Sequence, residues 1–189
     1  MSRSYRIRVR QTLRRVIRAS DHVSSQLELP EILPPEQMAE LLARELTSRG
    51  FRRQGQQVVR KQKGVTIAVD LDSGTITVSA QTQQKVDLSL EREGRAYVDS
   101  GPGAQQVKGQ LRDALQASLE KEAGQQQTQL QKQVTDQLEA ALGDLKQELD
   151  QAVNRATAAA LKLKASQMGQ IKALTEDPAS GSLTIVVEV

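Results

Sequence analysis

Residues 65–78 read VTIAVDLDSGTITV, and this stretch decides the fold. Val65, Ile67, Val69 and Leu71 alternate with polar neighbours, as do Ile76 and Val78, which is the period-2 pattern of strands with one buried face. Between the two runs, Asp72-Ser73-Gly74 forms a tight turn whose glycine can take the positive φ that a hairpin needs. The same alternation reaches Val58-Val59 on one side and Val86, Leu88 and Leu90 on the other. Phe51 to Val98 therefore reads as an antiparallel meander with one wet face.

Working outward to the N-terminus, Pro34-Pro35-Glu36 opens a helix that carries Met38, Leu41, Leu42 and Leu46 on one face and closes at Gly50. Further upstream, Tyr5, Ile7 and Val9 share one face of a strand over Ser4–Arg10, with Arg6, Arg8 and Arg10 on the other. Gln11–Arg18 is ambiguous. Leu13, Val16 and Ile17 have helical spacing, yet a bulged continuation of the strand fits as well. Val23 to Leu29 reads as a second strand before Pro30.

On the C-terminal side the period changes. Asp99 to Gly103 is a run of turn formers, read as a hinge, and beyond it Val107, Leu111, Leu115 and Leu119 recur every four residues. Val134, Leu138, Leu142, Leu145, Leu149, Val153 and Ala156 continue in threes and fours, like a coiled-coil seam. Gln125, Gln126, Gln127 and Gln129 make the span between them poor in anchors, and Gly143-Asp144 carries C-cap and N-cap chemistry. An unbroken helix from Ala104 to Gln170 would run roughly 100 Å and carry the last strand away from its sheet. A helical hairpin is therefore expected. The last strand, Leu183, Ile185, Val187 and Val189 after the turn Glu176–Gly181, then returns to the meander or pairs with another subunit.

The expected fold is α+β. It has a basic N-terminal domain over 1–98, a hinge at 99–103, a long helical coiled-coil-like hairpin over 104–172, and a turn and strand over 173–189 completing the sheet. Aromatics are 2% of the chain and Trp is absent, so the core is aliphatic. Charged residues, at 26%, match a folded chain rather than a disordered one. Residues 1–63 hold 14 Lys/Arg against 6 Asp/Glu, while residues 64–189 hold 12 against 17. The basic surface is thus concentrated at one end, the pattern of a chain that meets an anionic partner.

The composition withholds the chemistry of several functions. Without cysteine there is no disulfide, thiolate metal site or Cys nucleophile. The single histidine, His22, is too little for a triad or a metal cluster. Ser100-Gly101-Pro102-Gly103 lacks the Lys-Ser/Thr of a phosphate cradle, and Asp70, Asp72 and Asp87 fall where turns and strand ends attract Asp. No catalytic residue, metal or cofactor is expected. With no apolar run of about 18 residues and no signal-type h-region, the expected place is the cytoplasm, with no membrane contact.

Two surfaces remain as candidates. Arg6, Arg8, Arg10, Arg14, Arg15 and Arg18 form an arginine-rich face suited to an anionic partner. With only Tyr5 nearby for stacking, a solvated strand face that protects a sheet edge from aggregation or meets an acidic partner suits it better than a single-strand nucleic-acid platform. The seam residues Val107, Leu111, Leu115, Leu119, Val134, Leu138, Leu142, Leu145, Leu149 and Val153 are the candidate helical interface, for an intramolecular hairpin or a homo-oligomer.

The helix ending Leu-Thr-Ser-Arg-Gly-Phe at 46–51, the Val58-Val59-Arg60 strand, the Val65–Leu71 strand, and Glu176-Asp177 with Gly181-Ser182-Leu183-Thr184-Ile185 together resemble one group. It comprises small conserved cyanobacterial and plastid proteins, with relatives in bacterial FtsH ternary systems, encoded beside AAA+ ATPases. The resemblance spans residues 38–71 and 145–189. It implies an accessory component acting with an AAA+ ATPase and carries over no catalytic residue. The expected function is a non-enzymatic interaction or adaptor subunit. The alternative is a nucleic-acid-binding protein that uses the arginine face.

Overall fold

The structure, a computed structural model, describes residues 4–97, 103–177 and 182–188. Its elements are β1 (Ser4–Gln26), α1 (Pro35–Ser48), β2 (Arg52–Gln54), β3 (Gln57–Gln62), β4 (Val65–Asp70), β5 (Thr75–Tyr97), α2 (Ala104–Met168), β6 (Gln170–Asp177) and β7 (Ser182–Glu188). The α+β class is as expected. Five strands form one sheet in the order β1-β5-β4-β3-β2, and β6 pairs with β7 in a second. The chain divides into two compact units, Met1–Ser20 with Gln81–Val134, and Asp21–Ala80 with Thr135–Val189.

In the first unit, β1 and β5 contribute one long stretch each, and α2 contributes its N-terminal part. Val9, Ile17 and Ala19 on β1, and Val86 and Ala96 on β5, are buried together with Val107, Leu115, Leu119, Ala123, Leu130 and Val134 of α2. Gly94 shows how closely the helix lies: a Cβ there would sit 2.9 Å from Val107 Cγ1. The glutamine-rich span is helical, and its side chains are used. Gln127 Nε2 donates to the Arg18 carbonyl at 2.6 Å, and Gln131 Nε2 to the Ser20 carbonyl at 3.1 Å.

The second unit holds the meander around residues 65–78. Val65 pairs with Ala80 and Val69 with Ile76 across β4–β5, and Val58 pairs with Val69 across β3–β4. The expected turn is present. Asp70 Oδ1 accepts from the backbone N–H groups of Asp72 and Ser73 at 3.2 and 2.9 Å, and Gly74 takes φ 68°. The Ser73 hydrogen bonds hold the Asp70 carboxyl below its ordinary pKa. The carboxylate is therefore the cap of a turn. α1 begins at Pro35 and buries Met38, Leu42, Ala43 and Leu46. Leu33 and Met38 pack with Ala160 of α2, whose missing side-chain bulk permits the approach.

Three expectations are corrected here. The N-terminal region is a single strand through Gln26, so Gln11–Arg18 takes the strand continuation of its two readings and Val23–Leu29 is not a second strand. Its alternating Gln11, Leu13, Ile17 and Ala19 face inward along β5, and sheet pairing outweighs the local helical spacing. The runs Ile76–Val78 and Val86–Leu90 likewise belong to the one strand β5. The helical region is one helix, Ala104–Met168, rather than a hairpin. Gly143 lies exposed inside it with nothing within 4 Å of its Cβ position, flanked by buried Leu138, Leu145 and Leu149. A glycine costs about 1 kcal/mol in a helix, less than the burial on either side contributes.

The C-terminal strand does not return to the main sheet. β7 pairs with β6, from Ile171↔Val187 through Leu174↔Ile185 to Asp177↔Ser182, as expected of two strands that only four residues of sequence separate. A Cβ at Gly169 would lie 2.2 Å from the Glu188 carbonyl oxygen. The expected hinge at 99–103 lies outside the described residues except for Gly103, whose carbonyl accepts the first helical bond from Val107. Most of the turn at 176–181 and the terminal Val189 lie outside them too.

Candidate charged ribbon face

Strand alternation sorts the six arginines. In the first unit the odd residues of β1 point toward α2, so the even ones, Arg6, Arg8, Arg10, Arg14 and Arg18, share the outer face. Arg15 stands on the inner side and reaches α2, where its Nη1 lies 3.0 Å from Glu120 Oε2. The arginine-rich segment thus splits into an outer comb and one inward strut.

The comb does not stand alone. β5 sets Asp87, Ser89, Glu91 and Glu93 along its own outer face, against the arginines in antiparallel order. Arg14 Nε lies 2.9 Å from Asp87 Oδ2, and Arg10 Nε donates to Ser89 Oγ at 2.9 Å. Arg8 is 2.9 Å from Glu91 and 2.6 Å from Glu93, and Arg6 is 3.4 Å from Glu93. The Glu93 hydrogen bond and charge, with Glu91 behind them, raise the Arg8 pKa further. All of these side chains remain open to solvent; Arg6, Arg8 and Arg14 are 67, 61 and 76% exposed. Such pairs contribute little to stability; what they show is each guanidinium standing beside a carboxylate of the neighbouring strand.

The acidic row was the missing half of the sequence reading. Asp87, Ser89, Glu91 and Glu93 alternate with Val86, Leu88 and Leu90, and a charge-complementary comb was legible there beside the apolar one.

The seam residues are placed differently. Val107, Leu115, Leu119 and Val134 are buried within the first unit, and Leu138, Leu145 and Leu149 within the second, while Leu111, Leu142 and Val153 are half-buried. Leu142, Leu145 and Leu149 line one cavity with Val23, Ile76 and Val78 of the strands. The seam is thus occupied by the chain's own sheet. From Val107 to Ala123 it recurs every fourth residue, a longer period than the 3.5 of a left-handed coiled coil.

His22 is exposed, its backbone N–H bonded to Asp21 Oδ1. Among the described residues no cluster of three or more His, Cys, Asp or Glu could hold a metal ion. Among them, too, no helix is long and apolar enough to cross a membrane.

Fold and site together define an α+β protein whose built surface is a row of paired charges on a strand ribbon. The chain belongs to the family described as FtsH ternary system domain X5, whose model matches residues 1–189. That membership makes it a component of an FtsH-associated system. No curated protein and no solved structure matches it.

Proposed function

We propose that the chain is a non-enzymatic adaptor subunit of this system, working in the cytoplasm and docking on a protein partner through the outer face of the β1–β5 ribbon. One observation carries the reading. Arg6, Arg8 and Arg14 of β1 stand in a row beside acidic side chains of β5 while staying more than half exposed, as suits a contact surface. Membership of the FtsH ternary system family supports the setting, and the partner proposed is an AAA+ ATPase of the FtsH type. Self-association through the seam is not part of the proposal, because the chain's own strands occupy those side chains.

The test mixes the purified chain with the FtsH-type ATPase of the same genome and follows sedimentation. A complex is expected at low salt, weakened by raising salt and by Arg6→Glu with Arg14→Glu. A chain that sediments alone at every salt concentration refutes the adaptor role.

A further inference from the structure

We infer that the free edge of β1 receives an acidic extended peptide as an added strand. This deepens the adaptor reading by naming what the ribbon would bind. The sheet order puts β1 at an edge, so among the described residues it has β5 on one side and no strand on the other. An unpaired edge offers a row of backbone N–H and C=O groups to any strand that can lie beside it.

The side chains select which strand that is. β5 shows the reach: carboxylates one strand away meet the guanidinium groups of Arg6, Arg8 and Arg14 at 2.6–3.4 Å. A strand on the free edge would lie at the same distance on the opposite side, about 4.8 Å away. Donors remain for it. A guanidinium carries five N–H groups, whereas Arg10 engages only Ser89 through its side chain, and Arg18 makes no ion pair among the described residues. Carboxylates at alternate positions would match the comb, because both rows share the two-residue period. The positions between them would face the α2 side, beside Ile7, Val9 and Leu13, and suit aliphatic or Thr side chains.

A second copy of β1 does not fit. Pairing this edge with itself, outer faces aligned, sets arginine beside arginine, and like charges across strands oppose pairing. The comb therefore repels its own kind and admits an acidic strand.

Fluorescence anisotropy with the full chain and a labelled ten-residue peptide of alternating Glu and Thr tests this directly. Three competitors are used: a block-ordered peptide of the same composition, the alternating peptide with every second amide N-methylated, and a short single-stranded DNA. The alternating peptide is expected to bind at least tenfold more tightly than each. R10E/R18E, which breaks no ion pair of the described residues, is expected to weaken it about tenfold, at about threefold per exposed charge contact. Equal binding of the block or N-methylated peptide, or of DNA, overturns the added strand in favour of a plain cationic surface. No binding at low salt overturns it outright. The assay contains no ATPase, so its failure is separable from failure of the adaptor role.

Discussion

Arg60 on β3 shows what single residues do in the second unit. Its guanidinium stacks over the buried Phe51 ring at 4.5 Å, donates to the Arg49 carbonyl at 3.1 Å, and grips both oxygens of Glu148 on α2 at 2.6 and 2.7 Å. One side chain thus ties the segment that follows α1 to β3 and α2. Arg60 and Glu148 are 88 positions apart, and each stands among other charged residues, so no local pattern in the sequence marks the pair. The Arg60 hydrogen bonds hold the Glu148 carboxyl below its ordinary value of 4.5, against the opposing effect of desolvation. A carboxyl depressed on folding contributes stability that is present above the unfolded value and lost as pH falls through the folded one. Urea unfolding is therefore expected to show wild-type stability falling below pH 4.5 in part through this group. Glu148→Gln should be less stable by about 1–2 kcal/mol at pH 7, since it replaces a charge-assisted pair with a neutral one. Its disadvantage should shrink toward pH 3. A constant gap across that range would mean that Glu148 contributes shape alone.

At the scale of elements, the legible parts were those whose own periodicity decides them. The Val65–Val78 hairpin and the Pro35–Ser48 helix stand where residue alternation and the Pro and Gly punctuation put them. The continuity of α2 was not legible, and that of β1 was one of two readings the spacing allowed. In both, a local signal was overruled by burial along a neighbouring element: Gly143-Asp144 in the helix, and the Leu13, Val16, Ile17 spacing in the strand. The ribbon's charge pairing stayed hidden for the same reason, because it depends on which strand lies beside β1. Gly143 offers a direct check on the helix. In a helix interior with open space around its Cβ, Gly143→Ala should raise stability by about 0.5–1 kcal/mol, by removing backbone freedom from the unfolded chain. In a helical hairpin that used Gly143 at a left-handed cap, the same substitution would lower it. Chemical denaturation of the two proteins distinguishes these signs.

For the molecule as a whole, net charge and usable charge differ. The formal charge is +3, and residues 1–63 carry the excess of Lys and Arg. Yet of the six arginines between Arg6 and Arg18, four (Arg6, Arg8, Arg14 and Arg15) are engaged with carboxylates. A DNA duplex would have to compete with Asp87, Glu91, Glu93 and Glu120 for them. Only Arg10 and Arg18 would then release phosphate counterions freely. The logarithm of affinity falls against the logarithm of salt with a slope near 0.9 per neutralised phosphate, so two contacts give about −2 where six would give about −5. Anisotropy titrations of a labelled 20-base-pair duplex between 25 and 200 mM salt are expected to show weak binding with the shallow slope. A slope near −5 would mean that the ladder opens to phosphate, and the N-terminal face would then be a nucleic-acid site. The shallow slope would leave the row of paired charges as a surface shaped for carboxylates, which already fill it from one side.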